Sequence, residues 1–83
     1  MDKGANNIIR TEVCSPPDRK LLVVHIMVGN ELFAEINREN GDVDVEVYRR
    51  RDGRSWTMTY DTLVSTLEEG RKKLVLWAST GRA

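Results

Sequence analysis

Tyr48, Arg49, Arg50, Arg51, Arg54 and Trp56 gather inside one run, NGDVDVEVYRRRDGRSW, from Asn40 to Trp56. Arginine forks bind phosphate through paired N–H donors, and aromatic faces stack on bases. Arg49, Arg50, Arg51 and Arg54 are therefore the candidate nucleic-acid residues. A second pairing of types is Cys14 with His25, a nucleophile and a base. Nothing in the spacing supplies a third group to orient the histidine, and His25 falls in mid-strand, where a structural role is the simpler reading. Glu35, Asp44 and Glu46 are hard-cation ligand types, but three carboxylates on a flat sheet make no cage. The glycines at 41, 53 and 70 belong to turns and packing rather than to a phosphate loop. The expectation is a non-enzymatic chain with no cofactor and no metal.

Composition narrows the partners. Lys plus Arg number 13 and Asp plus Glu number 13, so no whole-molecule field draws the chain to nucleic acid, and any such site is a local patch. Apolar residues make up 40% and charged residues 31%, a globular composition. Eighty-three residues make one domain with a small core, a size that often relies on a partner chain. The single cysteine excludes an intrachain disulfide and fits a reducing compartment. The N-terminal residues lack the apolar run of a signal peptide, and the longest apolar run, Leu21 to Val28, is too short to cross a bilayer. The expected location is cytoplasmic, with no membrane partner.

The elements that must position these residues follow from periodicity. Residues 1–7 read as a flexible tail, and 8–83 as a single α+β domain. Ile8 to Cys14 offers a short extra N-terminal strand or an arm, ended by Pro16-Pro17. Strands are expected at Lys20–Val28, Glu31–Arg38, Asp42–Arg50 and Ser55–Thr59. Asn40-Gly41 and Asp52-Gly53 are read as tight hairpin turns, the first of type I′. The turns fix a register in which Ile36 faces Val45, Ala34 faces Val47 and Val47 faces Met58. A helix begins after Thr59, its N-cap, and carries Tyr60, Leu63, Leu67, Gly70, Leu74 and Trp77 as one stripe. Gly70 either ends that helix, leaving KLVLWAS as a further strand, or lies on the stripe for close approach to the sheet. The continuous helix to about Trp77 is preferred. The architecture is a four-stranded antiparallel meander followed by one C-terminal helix packed on one face, ββββα.

In that register Phe33, Glu35, Glu46 and Tyr48 occupy the face without the helix, with Glu35 opposite Glu46. Strand 20–28 is apolar on both sides, so one side needs a second cover, either the IIRTEV segment or another copy of the chain. The turn at Gly29-Asn30 leaves open which side meets the helix. Phe33 and Tyr48 extend an apolar strip, and contiguous exposed apolar area marks interfaces. The expected function is therefore a small module acting through protein–protein contact, as a homodimer or as an inhibitor- or immunity-type partner binder. Its interface residues would be Phe33, Glu35, Glu46, Tyr48, Val24 and Ile26, on the open face or along the edge of strand 20–28. The alternative is single-stranded nucleic-acid binding by the arginine hairpin. The stretch GDVDVEVYRRRDGRSWTMTYDTLVSTL is similar in its order of strand, basic turn, strand and helix to the transcriptional coactivator PC4 family. That resemblance implies a dimeric sheet gripping single-stranded DNA.

Overall fold

The structure, a computed structural model, describes residues 8–80. The tail expected at 1–7 lies outside the described residues. Four strands, β1 (Ile9–Cys14), β2 (Val23–Val28), β3 (Glu31–Asn37) and β4 (Asp44–Val47), precede one helix, α1 (Tyr60–Thr80). The strands form one antiparallel sheet in the order β1-β2-β3-β4. The ββββα architecture stands, but the identity of its strands differs from expectation. The N-terminal segment is a full member of the sheet, and residues 55–59 are not.

β2 explains the first difference. Val23, Val24 and Ile26 are fully buried, so the strand must be covered on both faces and both edges. β1 takes one edge, pairing Val13 with Val24 and Thr11 with Ile26. β2 is thus internal, and the expected interface along its edge has no free edge to use. Val24 and Ile26, expected at an interface, lie instead in the core with Ala34, Ile36 and Leu74.

The β3–β4 register is the expected one, with Ile36 opposite Val45, Ala34 opposite Val47 and Glu35 opposite Glu46. The connection is not a type I′ turn. That turn needs positive φ at both central residues. Here only Gly41 has it, at 96°, and it occupies the fourth position of a turn closed by Gly41 N donating to Arg38 O at 3.0 Å. The longer loop keeps the same pairing sum, so the alternation survives the change.

At Asp52-Gly53 the chain does turn, with Gly53 N donating to Arg50 O at 3.0 Å, but no strand returns along β4. Trp56 decides this. Its ring meets Phe33 edge-on at 5.3 Å, and its Nε1 donates to Tyr48 O at 2.9 Å. These contacts pull residues 55–59 over the helix side of the sheet. Trp56 and Met58 then pack on the core, and the expected pairing of Met58 with Val47 does not form.

α1 starts as expected. Thr62 N donates to Thr59 Oγ1 at 3.1 Å, which satisfies one of the free N–H groups of the first turn. The helix runs unbroken through Gly70 to Thr80. Gly70 is buried, and a Cβ built there would stand 2.5 Å from Ile36 Cδ1. The missing side chain is what lets the helix lie against β3. Leu63, Leu67 and Leu74 face the core, whereas the ends of the expected stripe, Tyr60 and Trp77, are exposed. Lys73 Nζ donates to Thr11 Oγ1 at 2.6 Å, and Thr11 Oγ1 donates to Glu69 at 3.1 Å, tying the helix to β1. Among the described residues, no helix is long and apolar enough to cross a membrane.

Candidate functional site

Two surfaces carry unusual arrangements, one on each side of the sheet. On the side without the helix, alternation places Glu12 and Cys14 of β1, His25 of β2, Glu35 and Asn37 of β3, and Glu46 of β4. Cross-strand pairing sets His25 directly opposite Glu35. His25 Nε2 lies 3.1 Å from Glu35 Oε1, and His25 Nδ1 lies 3.3 Å from Cys14 Sγ. The sheet therefore does bring Cys14 and His25 together, and it supplies the third group that spacing alone did not reveal. Nucleophile, base and carboxylate stand in line.

The chemistry of that line is held back. Burial, then the Glu12 carboxylate, pushes the Cys14 thiol up, with Glu35 adding to the effect and the His25 contact opposing it. The proton is thus held on sulfur. Glu35, almost fully buried, also receives Asn37 Nδ2 at 3.0 Å and forms an ion pair with Arg19 Nη2 at 2.8 Å. Its charge is shared among three partners. Arg19 comes from the loop after β1 and also donates to both Glu46 oxygens, at 3.0 and 2.9 Å. Arg19 thereby removes the repulsion expected of the facing Glu35 and Glu46 pair. Tyr48 donates to Glu46 Oε1 at 3.1 Å, and this bond, with those from Asn37 and Arg19, holds the Glu46 carboxyl below its usual range. The same loop is pinned by Glu39, which accepts from Lys20 N and Leu21 N. The face expected to be an open apolar strip is a neutralised polar network under a loop.

Phe33 is absent from that face. β3 bulges between its pairings with Ile26 and Met27: Ala34 meets Ile26, Leu32 meets Met27, and Phe33 is the extra residue. A bulge re-aims side chains, and Phe33 lies in the core against Trp56 at 6% exposure. Of the expected interface residues, Glu35, Glu46 and Tyr48 share the polar face, while Phe33, Val24 and Ile26 are under the helix.

The arginine group is partly engaged. Arg50 stacks over the Trp56 ring at 5.6 Å, pairs with Asp52 and donates to Ser55 O. Arg51 leans on Glu31 and Asn30 O. Arg49 and Arg54 project from exposed positions. Trp56, turned inward, packs at a steep angle against Phe33 with Arg50 over its ring, rather than offering a face to a base. Among the described residues, no group of three or more His, Cys, Asp or Glu is placed to hold a metal ion.

The second surface was not expected at all. On the helix side of β4, Val43, Val45 and Val47 are exposed, Val47 at 64%. α1 packs on β1 and β2, less on β3, and falls short of β4. A groove of about 460 Å³ remains, lined by Phe33, Val45, Val47, Met58, Leu63 and Leu67. A second hollow of about 340 Å³ shares Val45 and Leu67 and adds Val43, Val64 and Ile36. Among the described residues, no strand lies beyond the outer edge of β4. A geometric signal for this was present in the sequence. One helix is about 10 Å across while strands sit about 4.8 Å apart, so a single helix covers about two strands of four.

No match is found for the chain among protein-family models, curated proteins or solved structures.

Proposed function

We propose that this protein is a small binding module that works by contact with other protein rather than by chemistry, through the helix side of β4 and the adjoining groove. The observation that carries this reading is the bare valine strip, Val43, Val45 and Val47, beside an apolar groove and a free strand edge. Exposed apolar strand edges are association surfaces, and natural folds seldom leave them unused. The neutralised Glu35–Arg19–Glu46 network and the proton-retaining Cys14 thiol suit a structural role for the opposite face. A free, half-buried thiol fits a cytoplasmic setting.

The test is an amide chemical-shift map of isotope-labelled protein. It is titrated with unlabelled protein, with short apolar-alternating strand peptides, and with a single-stranded oligonucleotide. Shifts clustered on 43–47 and 63–67, removed by Val47→Lys, are the expected result. Shifts clustered on 49–54 with the oligonucleotide alone, steeply dependent on salt, would overturn this reading in favour of nucleic-acid binding.

A further inference from the structure

We propose that the partner on β4 is a second copy of this chain, paired antiparallel along the free edge about a two-fold axis at Glu46. The inference rests on the contact reading above and names its partner.

The backbone decides which groups are available. Tyr48 N donates to Phe33 O at 2.9 Å, so Tyr48 turns its N–H toward β3. By alternation Asp44 and Glu46 do the same, and Val45 and Val47 turn theirs outward. The free edge therefore offers the N–H and C=O of Val45 and Val47 to an incoming strand.

The charge pattern selects the incoming strand. Asp42, Asp44 and Glu46 make one end of the segment acidic, and Arg49, Arg50 and Arg51 make the other basic. Antiparallel pairing with a copy sets the acidic end of each against the basic end of the other. Parallel pairing would set like against like. This is the sense in which the alternating, then basic, run is self-complementary.

The span of β4, Asp44–Val47, together with these charges selects the register, because only an axis at Val45 or Glu46 keeps most of the strand paired. A two-fold axis normal to the sheet keeps helix-side residues on one side, so it must pass between a residue and its own copy. An axis at Val45 would set Asp44 opposite the partner's Glu46 twice over. An axis at Glu46 sets Val45 opposite the partner's Val47, Asp44 opposite the partner's Tyr48, and Val43 opposite the partner's Arg49. The two Glu46 carboxylates then meet at the axis, each already compensated by its own Arg19. Two four-stranded sheets become one of eight, with a four-valine patch between the helices.

Disulfide trapping in a Cys14→Ser background tests this. Val45→Cys and Val47→Cys chains are oxidised separately and mixed, and Glu46→Cys is oxidised alone. All samples are weighed by light scattering before oxidation. Directly opposed hydrogen-bonded residues lie about 5.5 Å apart at Cα, within disulfide reach. Cross-linked dimer from the Val45→Cys and Val47→Cys mixture, and from Glu46→Cys alone, but not from either valine variant alone, is the expected pattern. A dimer by light scattering with cross-links from Val45→Cys alone, or with none, would overturn the edge register and leave the contact reading standing. A monomer at every concentration, with peptides still shifting the groove, would overturn self-pairing. A monomer whose groove responds to nothing would overturn both.

Discussion

Gly70 offers a quantitative test of how the helix meets the sheet. An alanine Cβ at this position would stand 2.5 Å from Ile36 Cδ1 and 3.4 Å from Val24 Cγ1. The second contact is ordinary and the first requires movement. Replacing a mid-helix glycine by alanine stabilises by about 1 kcal/mol when nothing is in the way. Moving Ile36 Cδ1 aside, toward the hollow it borders, costs about 0.5–1.5 kcal/mol as a displaced rotamer. Gly70→Ala is therefore expected to leave stability unchanged to within about 0.5 kcal/mol, by cancellation of these terms. Ile36→Val removes the obstructing methyl and alone costs about 1 kcal/mol. In the Ile36→Val background Gly70→Ala should recover its full gain, giving a coupling of about 1 kcal/mol. Urea unfolding of the four proteins by circular dichroism reads this directly, provided the slopes agree. In a domain of this size about 1 kcal/mol moves the thermal midpoint by roughly 4–8 °C. Equal stabilisation by Gly70→Ala in both backgrounds would refute the argument that close approach to Ile36 requires glycine.

Three further outcomes follow from local chemistry. The thiol of Cys14, pushed up by burial and by Glu12, should alkylate with iodoacetamide at a pH midpoint above that of a cysteine peptide, and Glu12→Gln should bring that midpoint down; a midpoint at or below the peptide's would contradict the reading. Because the fold keeps this proton, the contribution to stability is present below the unfolded thiol's pKa and is lost as pH rises through the folded value. Thr59→Ala removes the acceptor for Thr62 N and should destabilise the fold by about 1 kcal/mol in the same urea assay, with Thr59→Ser restoring most of it.

The sequence made the local rules plain and the lateral ones obscure. Alternation at Val43, Val45 and Val47 located β4 and its register, because a period of two and a short loop leave few pairings. Thr59 and the Leu63, Leu67, Gly70, Leu74 spacing located the helix for similar reasons. The double-sided apolar character of β2 signalled a strand inside the fold; β1 takes its edge, and the loop carrying Arg19 lies over the face away from the helix. What local pattern could not show was competition for position. Residues 55–59 have strand composition, yet Trp56 gains a ring partner and a buried N–H acceptor by crossing the sheet, so the hairpin is forgone. The bulge that carries Phe33 into the core leaves no local signature, since it depends on the β2 pairing. The line of Cys14, His25 and Glu35 arises from three strands, and Arg19 reaches it from a loop. The bare side of β4 required comparing the width of one helix with that of four strands.

Whether β4 is a contact edge can be read from hydrogen exchange at Val45 and Val47. Their N–H groups point away from β3, so in an isolated chain they exchange quickly, while those of Asp44 and Glu46 are held by the β3 ladder. Protection at Val45 and Val47 is expected to rise with protein concentration, and Val47→Lys to abolish the rise. Fast exchange at both positions at every concentration, with and without strand peptides, would contradict it.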